Sequence, residues 1–447
     1  MKLLVVGSGG REHAILEALK RTSKEPLELF CAPGNGGIAQ VAKCIPIAAT
    51  DQASLVEFVH SEIVDLTIVG PEGPLADGIV DEFERNGLKI IGPGRAAARL
   101  EASKSFAKDF MRRHKIPTAD YRIANSAAEA LEALRSGKFG PPNSAVVVKA
   151  DGLAAGKGVV VAPSRADAER AVTQLASGTL VSPEAIKQIV IEEALEGREV
   201  SVLLFADGRD YALMPPARDH KRIGENDTGP NTGGMGAITD TSVLDDETLK
   251  RIVREIVEPT LEGASQEGFP FRGILFIGLM LSSAGPKVLE YNVRFGDPET
   301  QAILVRLESD LCKIFEAMLL GQLRDAGVEW RTQSSACVVL ASAGYPGPYK
   351  SGIVISGLDQ LAINNDLQAF HAGTSKTETG DFLTAGGRVL GITATGDTLE
   401  QALESCYDAI GKVTWEGMQY RRDIGQFNEA SKASSSLSLG PRASRPH

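Results

Sequence analysis

The sequence predicts an α/β protein that opens with a doubly wound parallel sheet and closes with a small β-rich domain. Three features carry that expectation. Short apolar strands alternate with amphipathic helices over the first hundred residues, hairpin patterns surround a Gly-rich loop in the middle, and β runs with one helix follow Gly327. At 447 residues the chain allows two to four domains of ordinary size, and its 43% apolar content supplies their cores.

In the first domain, "KLLVVG", "LELFCA", "LTIVG" and "LKIIG" read as strands, with helices over Glu12–Lys20 and Gln52–His60. Ala14, Ile15, Ala18 and Leu19 give the first helix its apolar side. The opening "MKLLVVGSGG" has a passing likeness to a secretory h-region, but Gly-rich turn chemistry and a charged helix follow, which favours a buried first strand. Loops at the strand C-termini ("GSGGREH", "APGNGG", "GPEGPLADG") lie where such sheets bind ligands.

Lys104–His114 is expected to be a helix capped by Ser103. From Tyr121 to Glu199 the pattern is strand, helix (Ala127–Leu134), Gly-rich hairpin, helix (Ala166–Ala176) and the strand "QIVIEEAL". A hairpin around Asp207-Gly208 precedes Arg218–Gly236, which reads as a loop without periodicity. Helix follows over Leu244–Gly263, then paired strands "RGILFIGLML" and "PKVLEYNVRF", then one helix over Gln301–Leu320. In the last domain, "ACVVLAS", "GIVISG" and "RVLGITATG" are strands and Thr398–Lys412 is a helix. The Ser-rich end, 427–447, is expected to be disordered.

A net charge of −11 and the lack of a long basic run argue against nucleic acid or an anionic membrane as partner. Five scattered cysteines without a C-x-x-C pair indicate neither a zinc site nor a disulfide framework, and suit a reducing compartment. With no apolar run of membrane-spanning length, a soluble cytoplasmic protein is expected.

"KADGLAAGKGVVV" (Lys149–Val161) invites comparison with a P-loop. Gly152 lies only four positions before Gly156, Gly158 stands where Ser or Thr should bind Mg²⁺, and "GVVVA" continues as strand instead of helix. The segment is therefore strand, Gly-rich loop, strand. At the N-terminus, Gly7-Ser8-Gly9-Gly10-Arg11-Glu12 has two glycines of a dinucleotide fingerprint but Glu12 at the third position, which argues against an NAD-dependent oxidoreductase. Its N–H groups and Arg11 suit a phosphate, and equally a plain βα turn.

In "VLEYNVRFGDPET", alternation puts Glu290, Asn292 and Arg294 on one face. A carboxylate and an amide oxygen two residues apart are hard ligands for Mg²⁺, and a guanidinium beside them suits phosphoryl oxygens. A solvated outer face has the same pattern. In "VIEEALEGREVSV", the backbone of Glu192–Leu195 suits a nucleotide base and Glu199 suits ribose hydroxyls, although an acidic turn would look alike.

The order of these pieces resembles the ATP-grasp superfamily. Within it, "GGREHA", "APGN", "TIVGPE", "KADGLAAGKGV", "DHKR", "DTGPNTGGMGA", "EYNVRFGDPETQ", "GYPG" and "FHAGT" resemble the phosphoribosylamine–glycine ligase (glycinamide ribonucleotide synthetase) family over roughly residues 1–425. That resemblance implies an N-terminal domain over 1–102, an ATP-grasp domain over 103–326 with a mobile lid subdomain at about 120–192, and a C-terminal domain over 327–426. It implies glycine, 5-phosphoribosylamine and ATP as partners, with Mg²⁺ or Mn²⁺, in a monomer or weak homo-oligomer.

By the same resemblance, ATP is bound by Lys104, Lys149, Gly152, Gly156, Lys157, Gly158, Glu192, Glu193, Ala194, Leu195 and Glu199, and the metal by Glu290 and Asn292. Arg294 faces the transferring phosphoryl group, with Asp219 and Asp297 as further catalytic candidates. Substrate contacts are expected from Gly9, Gly10, Arg11, Asn35, Glu72, His220 and Lys221, with His220 orienting, His13 packing and His371 unassigned. Two departures stand out: Arg218 replaces the Gln found in many members, and "GILFIGLML" offers no acidic metal ligand. Within the superfamily, a bicarbonate-dependent carboxylase is the nearest rival reading.

Overall fold

The computed structural model describes residues 1–153, 158–178 and 188–426. Strands Lys2–Gly7, Glu28–Pro33, Lys43–Cys44, Leu66–Val69 and Ile90–Ile91 form one parallel sheet, ordered third, second, first, fourth, fifth. Alternation splits its side chains between two cores: Leu4, Val6 and Phe30 enter one, while Leu3, Val5 and Cys31 enter the other. The strand order reverses between Lys2–Gly7 and Leu66–Val69, so a crevice opens at their C-terminal ends. Helices Gly10–Thr22, Gln52–Glu62, Ile79–Arg85 and Arg95–Ala102 flank the sheet.

Helix Lys104–Arg113 begins where Ser103 accepts the Phe106 N–H. A four-stranded antiparallel sheet follows, ordered Tyr121–Ala124, Ile189–Glu193, Val146–Ala150, Val159–Ala162. Helices Ala127–Arg135 and Arg165–Ala176 cover it, and Ala130, Leu134, Val148, Val172 and Ile191 give it a core of its own. A second antiparallel sheet, ordered Tyr211–Leu213, Arg198–Asp207, Arg272–Ser282, Gly285–Asn292, forms the other half of the central region.

The aperiodic loop expected over 218–236 is a correction. It contains the strands Arg218–Asp219, Arg222–Gly224 and Thr228–Asn231. These are too short to show alternation, and pairing decides them: Arg218–Asp219 lies on Gly236–Thr239, which lies on Ser334–Ala341. The C-terminal sheet, completed by Arg388–Gly396 and Leu367–His371, thus recruits two strands from the central segment. Helix Leu399–Ile410 packs on it.

The single helix expected over Gln301–Leu320 is also corrected, to Glu299–Leu304 and Leu311–Leu320. Asp310 starts the second by accepting the Cys312 and Lys313 N–H groups. Apolar residues run through the break because Leu304, Leu307 and Leu311 all enter one core. Among the described residues, no helix is long and apolar enough to cross a membrane. The expectations for Gly156, Lys157 and 427–447 lie outside the described residues.

Candidate active site

At the mouth of the parallel sheet, Glu12 shapes the Gly-rich turn. Its carboxylate accepts the Gly9 N–H (2.5 Å) and pairs with Arg11 Nε (2.7 Å). A Cβ at Gly70 would lie 1.9 Å from Glu12 Oε1, and one at Gly7, whose φ is +133°, 2.6 Å from the same side chain. The residue at the third glycine position therefore packs its own carboxylate into the crotch between two strand ends. It already holds one N–H that the sequence reading offered to a phosphate. Arg11 is buried and also donates to Phe295 O (3.1 Å), tying this turn to the GDPE segment.

Asn35 uses both ends of its amide inside the protein. Nδ2 donates to Ser8 O (2.8 Å) and His371 O (2.9 Å), while Oδ1 accepts the Gly37 and Ile38 N–H groups. That geometry makes it a brace between the first turn and the C-terminal region. His13 packs edge-on to Phe370 and accepts the His371 N–H, as its packing assignment anticipated. The His371 ring lies against Thr374 Oγ1.

Arg294 follows the strand Gly285–Asn292 and gathers acids from two directions. Its guanidinium meets Glu101 Oε1 at 3.0 Å and Glu72 Oε2 at 3.4 Å, and donates to Asn292 Oδ1 at 3.2 Å. Burial raises the Glu101 pKa more than Arg294 lowers it. For Glu72 burial also acts upward, yet Arg294 and Arg11 outweigh it and the pKa falls. Glu101 was missed in the sequence because it sits within an ordinary amphipathic helix, 192 residues from the Val293 N–H that it accepts.

Glu290, Lys221, Glu199 and Asp219 form the next cluster. Lys221 Nζ lies 3.1 Å from Glu199 and 3.8 Å from Glu290. Burial works against the Lys221 charge, but Glu199, Asp219 and Glu290 hold its pKa well above the usual lysine range. Burial would raise the Glu290 pKa, and Lys221, Lys149, Lys104 and Arg294 together depress it. Burial raises Asp219 despite Lys221, and raises its neighbour Glu299 to about 7. Arg218, beside Asp219 in its strand, is lowered to about 10 by burial and Arg198.

Lys149 spans the two sheets of the central region, reaching Glu192 Oε1 (2.9 Å) and Leu289 O (3.1 Å). The second oxygen of Glu192 pairs with Lys108 (2.8 Å), a buried lysine in the helix Lys104–Arg113 that the sequence did not single out. Glu193 pairs instead with Lys287 (2.8 Å), and Ala194 and Leu195 follow the strand end. Lys104 Nζ donates to Gly152 O (3.1 Å), and Gly158 O accepts the Ala150 N–H, closing the base of the Gly-rich hairpin.

His220 is buried away from this cluster: its Nε2 accepts the Gly425 N–H (2.9 Å). Asp297 sits where three parts of the chain meet. Its Oδ2 pairs with Arg388 (2.8 Å) and would lie 3.6 Å from a Cβ at Gly9, while Gln301 donates to Oδ1. Gly10 faces Gln301 in turn.

Glu290 and Asn292 fit a divalent cation as hard oxygen donors on one strand, with Glu290 held ionised by surrounding cations. Among the described residues no group of three His, Cys, Asp or Glu side chains is arranged to hold a metal ion by itself, so the rest of such a shell would come from phosphate oxygens and water. Two antiparallel sheets enclosing lysines, a Glu-x-Asn strand and an arginine, set behind a parallel-sheet domain, define the ATP-grasp class.

The comparisons agree. Residues 1–101, 102–300 and 335–427 match the N domain, the ATP-grasp (A) domain and the C domain of phosphoribosylglycinamide synthetase. The chain is 44% identical to a phosphoribosylamine–glycine ligase of Caldanaerobacter subterraneus subsp. tengcongensis, covering 95% of this chain and 99% of that one. It is 46% identical to that of Brucella melitensis biotype 1, covering 95% and 97%. The crystal structure of the Thermotoga maritima phosphoribosylamine–glycine ligase superposes with a TM-score of 0.78 at 34% identity, over 95% of this chain and 100% of that one. The biotin carboxylase domain of Hydrogenobacter thermophilus 2-oxoglutarate carboxylase, complexed with MgADP and bicarbonate, shares the fold at a TM-score of 0.69 and 16% identity, over 94% and 91%. The chain belongs to the phosphoribosylglycinamide synthetase family.

Proposed function

We propose that this chain is an ADP-forming ligase that joins glycine to 5-phosphoribosylamine, giving glycinamide ribonucleotide, ADP and phosphate in purine biosynthesis. The γ-phosphoryl group of ATP passes to the glycine carboxylate, the amine nitrogen attacks the acyl carbon of glycyl phosphate, and phosphate leaves. The observation that carries the reading is the gathering of Lys104, Lys149, Lys221 and Arg294 around one half-buried carboxylate, Glu290, whose pKa they jointly depress. Lys149, Lys221 and Arg294 also pair with Glu192, Glu199 and Glu101, whereas the Lys104 ammonium donates to a backbone carbonyl and offers a polyphosphate a positive charge to neutralise.

In this reading Lys104 and Lys149 orient the ATP phosphates, Glu192–Leu195 and Glu199 hold the nucleoside, and Arg294 stabilises charge on the phosphoryl group. Glu290 and Asn292 would hold Mg²⁺ or Mn²⁺, which neutralises phosphate oxygens when bound. Gly152 and Gly158 lie beside the phosphates, and water must be kept from the acyl phosphate, which hydrolyses readily. Asp219, Lys221 and Asp297 orient the amide-forming substrates; Gly9, Gly10, Arg11 and Glu72 face the amine substrate, and Asn35 braces that turn. We assign the amine to residues 1–102, phosphoryl transfer to 103–326 and closure of the substrate side to 327–426. A cytoplasmic monomer or weak homo-oligomer completes the proposal.

The test is ADP release with ATP, Mg²⁺, glycine and phosphoribosylamine generated in situ, each omitted in turn. Release that needs both glycine and the amine, with an amide product by mass, supports the ligase. Release that needs bicarbonate and not glycine overturns it in favour of a carboxylase.

A further inference from the structure

Among the largest fully buried side chains of the described residues is an arginine, Arg421, 1% exposed, in the segment that follows the last helix. Burying a guanidinium costs several kcal/mol unless it is fully paired, and Arg421 is paired throughout. Its Nε and Nη2 grip Asp423 at 2.8 and 2.7 Å in the two-pronged geometry that only arginine offers. Its Nη1 reaches out of its own segment to Asp227 Oδ1 (2.8 Å) and Arg222 O (3.0 Å).

The neighbours of Arg421 make the same crossing. Asp423 Oδ2 accepts the Asn226 N–H (2.7 Å), and the Gly425 N–H donates to His220 Nε2 (2.9 Å). That bond fixes the ring tautomer with its proton on Nδ1, which faces Asp227 Oδ1 at 3.9 Å. His220 is thus held from both sides by the C-terminal segment and the acid that Arg421 pairs with.

The gripped residues immediately flank the site. His220 lies between Asp219 and Lys221, and Arg222, whose carbonyl Arg421 holds, follows Lys221 directly. Lys221 in turn reaches Glu199 and Glu290. A shift of about 1 Å in such a backbone is enough to cost on the order of a hundredfold in rate.

We propose that Arg421 is a positioning residue for the Asp219–Lys221 segment, acting from the C-terminal end of the fold through Asp227, Asp423 and the His220 ring. The turnover part of its test rests on the ligase reading; the exchange part does not.

The experiment compares wild type, Arg421→Met, Asp227→Asn, His220→Asn and the Arg421→Met/His220→Asn pair. Asp227 is exposed, so its substitution leaves the fold intact and keeps the test valid if Arg421→Met is unstable. Hydrogen exchange of peptides covering 219–232 should quicken at least tenfold in Arg421→Met and measurably in Asp227→Asn, with the parallel-sheet strands unchanged. In turnover, kcat/KM for the amide-forming substrates should fall at least tenfold and by more than any loss of ADP affinity. The double variant should lose no more than the worse single one, as members of one relay do. Unchanged exchange in 219–232 overturns the proposal, as does a lowered melting temperature with unchanged kcat/KM. A wild-type chain with no glycine-dependent turnover would instead count against the ligase, leaving the exchange result to decide the role of Arg421.

Discussion

Glu101 and Arg294 meet at 3.0 Å, joining the last helix of the parallel-sheet domain to the end of the Glu-x-Asn strand. Glu101 also accepts the Val293 N–H (2.7 Å), so one carboxylate fixes both the backbone and the guanidinium of the proposed phosphoryl-facing arginine.

Glu101→Gln keeps an oxygen for the Val293 N–H but replaces the carboxylate oxygen that faces Arg294 with an amide NH2, removing both the charge and the acceptor there. We expect kcat to fall about tenfold together with a lower melting temperature, by steady-state kinetics at a temperature where the variant is folded beside thermal denaturation. A loss of stability at unchanged kcat would make Glu101 purely a packing residue.

Lys108→Met leaves Glu192 paired with Lys149 alone. Breaking one side of a buried ion network costs roughly 3–5 kcal/mol, and Lys149 is drawn further toward Glu192, away from any phosphate. The expected result is a lower melting temperature together with at least a tenfold weaker ATP affinity, measured by equilibrium titration. Unchanged ATP affinity would separate Lys108 from the nucleotide site.

Glu290→Gln removes the acid that four cations surround. Turnover should fall at least a hundredfold, and the residual activity should need more Mg²⁺ for half-saturation. Chelation of the wild-type enzyme should abolish turnover reversibly. An unaltered metal requirement in the variant would move the cation away from Glu290.

Burial lowers the His13 pKa to about 3, with His371 adding to it, and lowers His220 and His371 to about 4. The unfolded chain protonates these rings near the ordinary value of about 6.5. Below that value the unfolded state binds more protons, so their contribution is complete above pH 6.5 and is lost as pH falls toward 4 and then 3. Glu299, raised to about 7, runs the opposite way over its own range. His13→Asn keeps an acceptor for the His371 N–H and removes one titration, so its stability should fall less steeply from pH 6.5 to 4 than that of wild type. Parallel curves in urea titrations across that range would contradict the buried-neutral assignment.

The sequence by itself determined the parallel N-terminal sheet, the Gly-rich hairpin and the Glu-x-Asn strand, because each is written in local periodicity and turn chemistry. It also put Glu290 and Asn292 on one face, since two-residue spacing on a strand needs no partner to be read, while Arg294 lies past the strand end and is held there by Glu101, Glu72 and Asn292. Only the tertiary structure decided where the short strands of 218–236 pair, because their hydrogen bonds go to strands as distant as Ser334–Ala341. It likewise decided that Glu12 fills the crotch beside Gly70, that Asn35 is spent on braces, and that Glu101 pairs with Arg294, Lys108 with Glu192 and Arg421 with Asp227 and Asp423. Buried charges must be paired wherever the fold brings an opposite charge near, and that proximity is set by packing between distant segments, which spacing along one chain does not record.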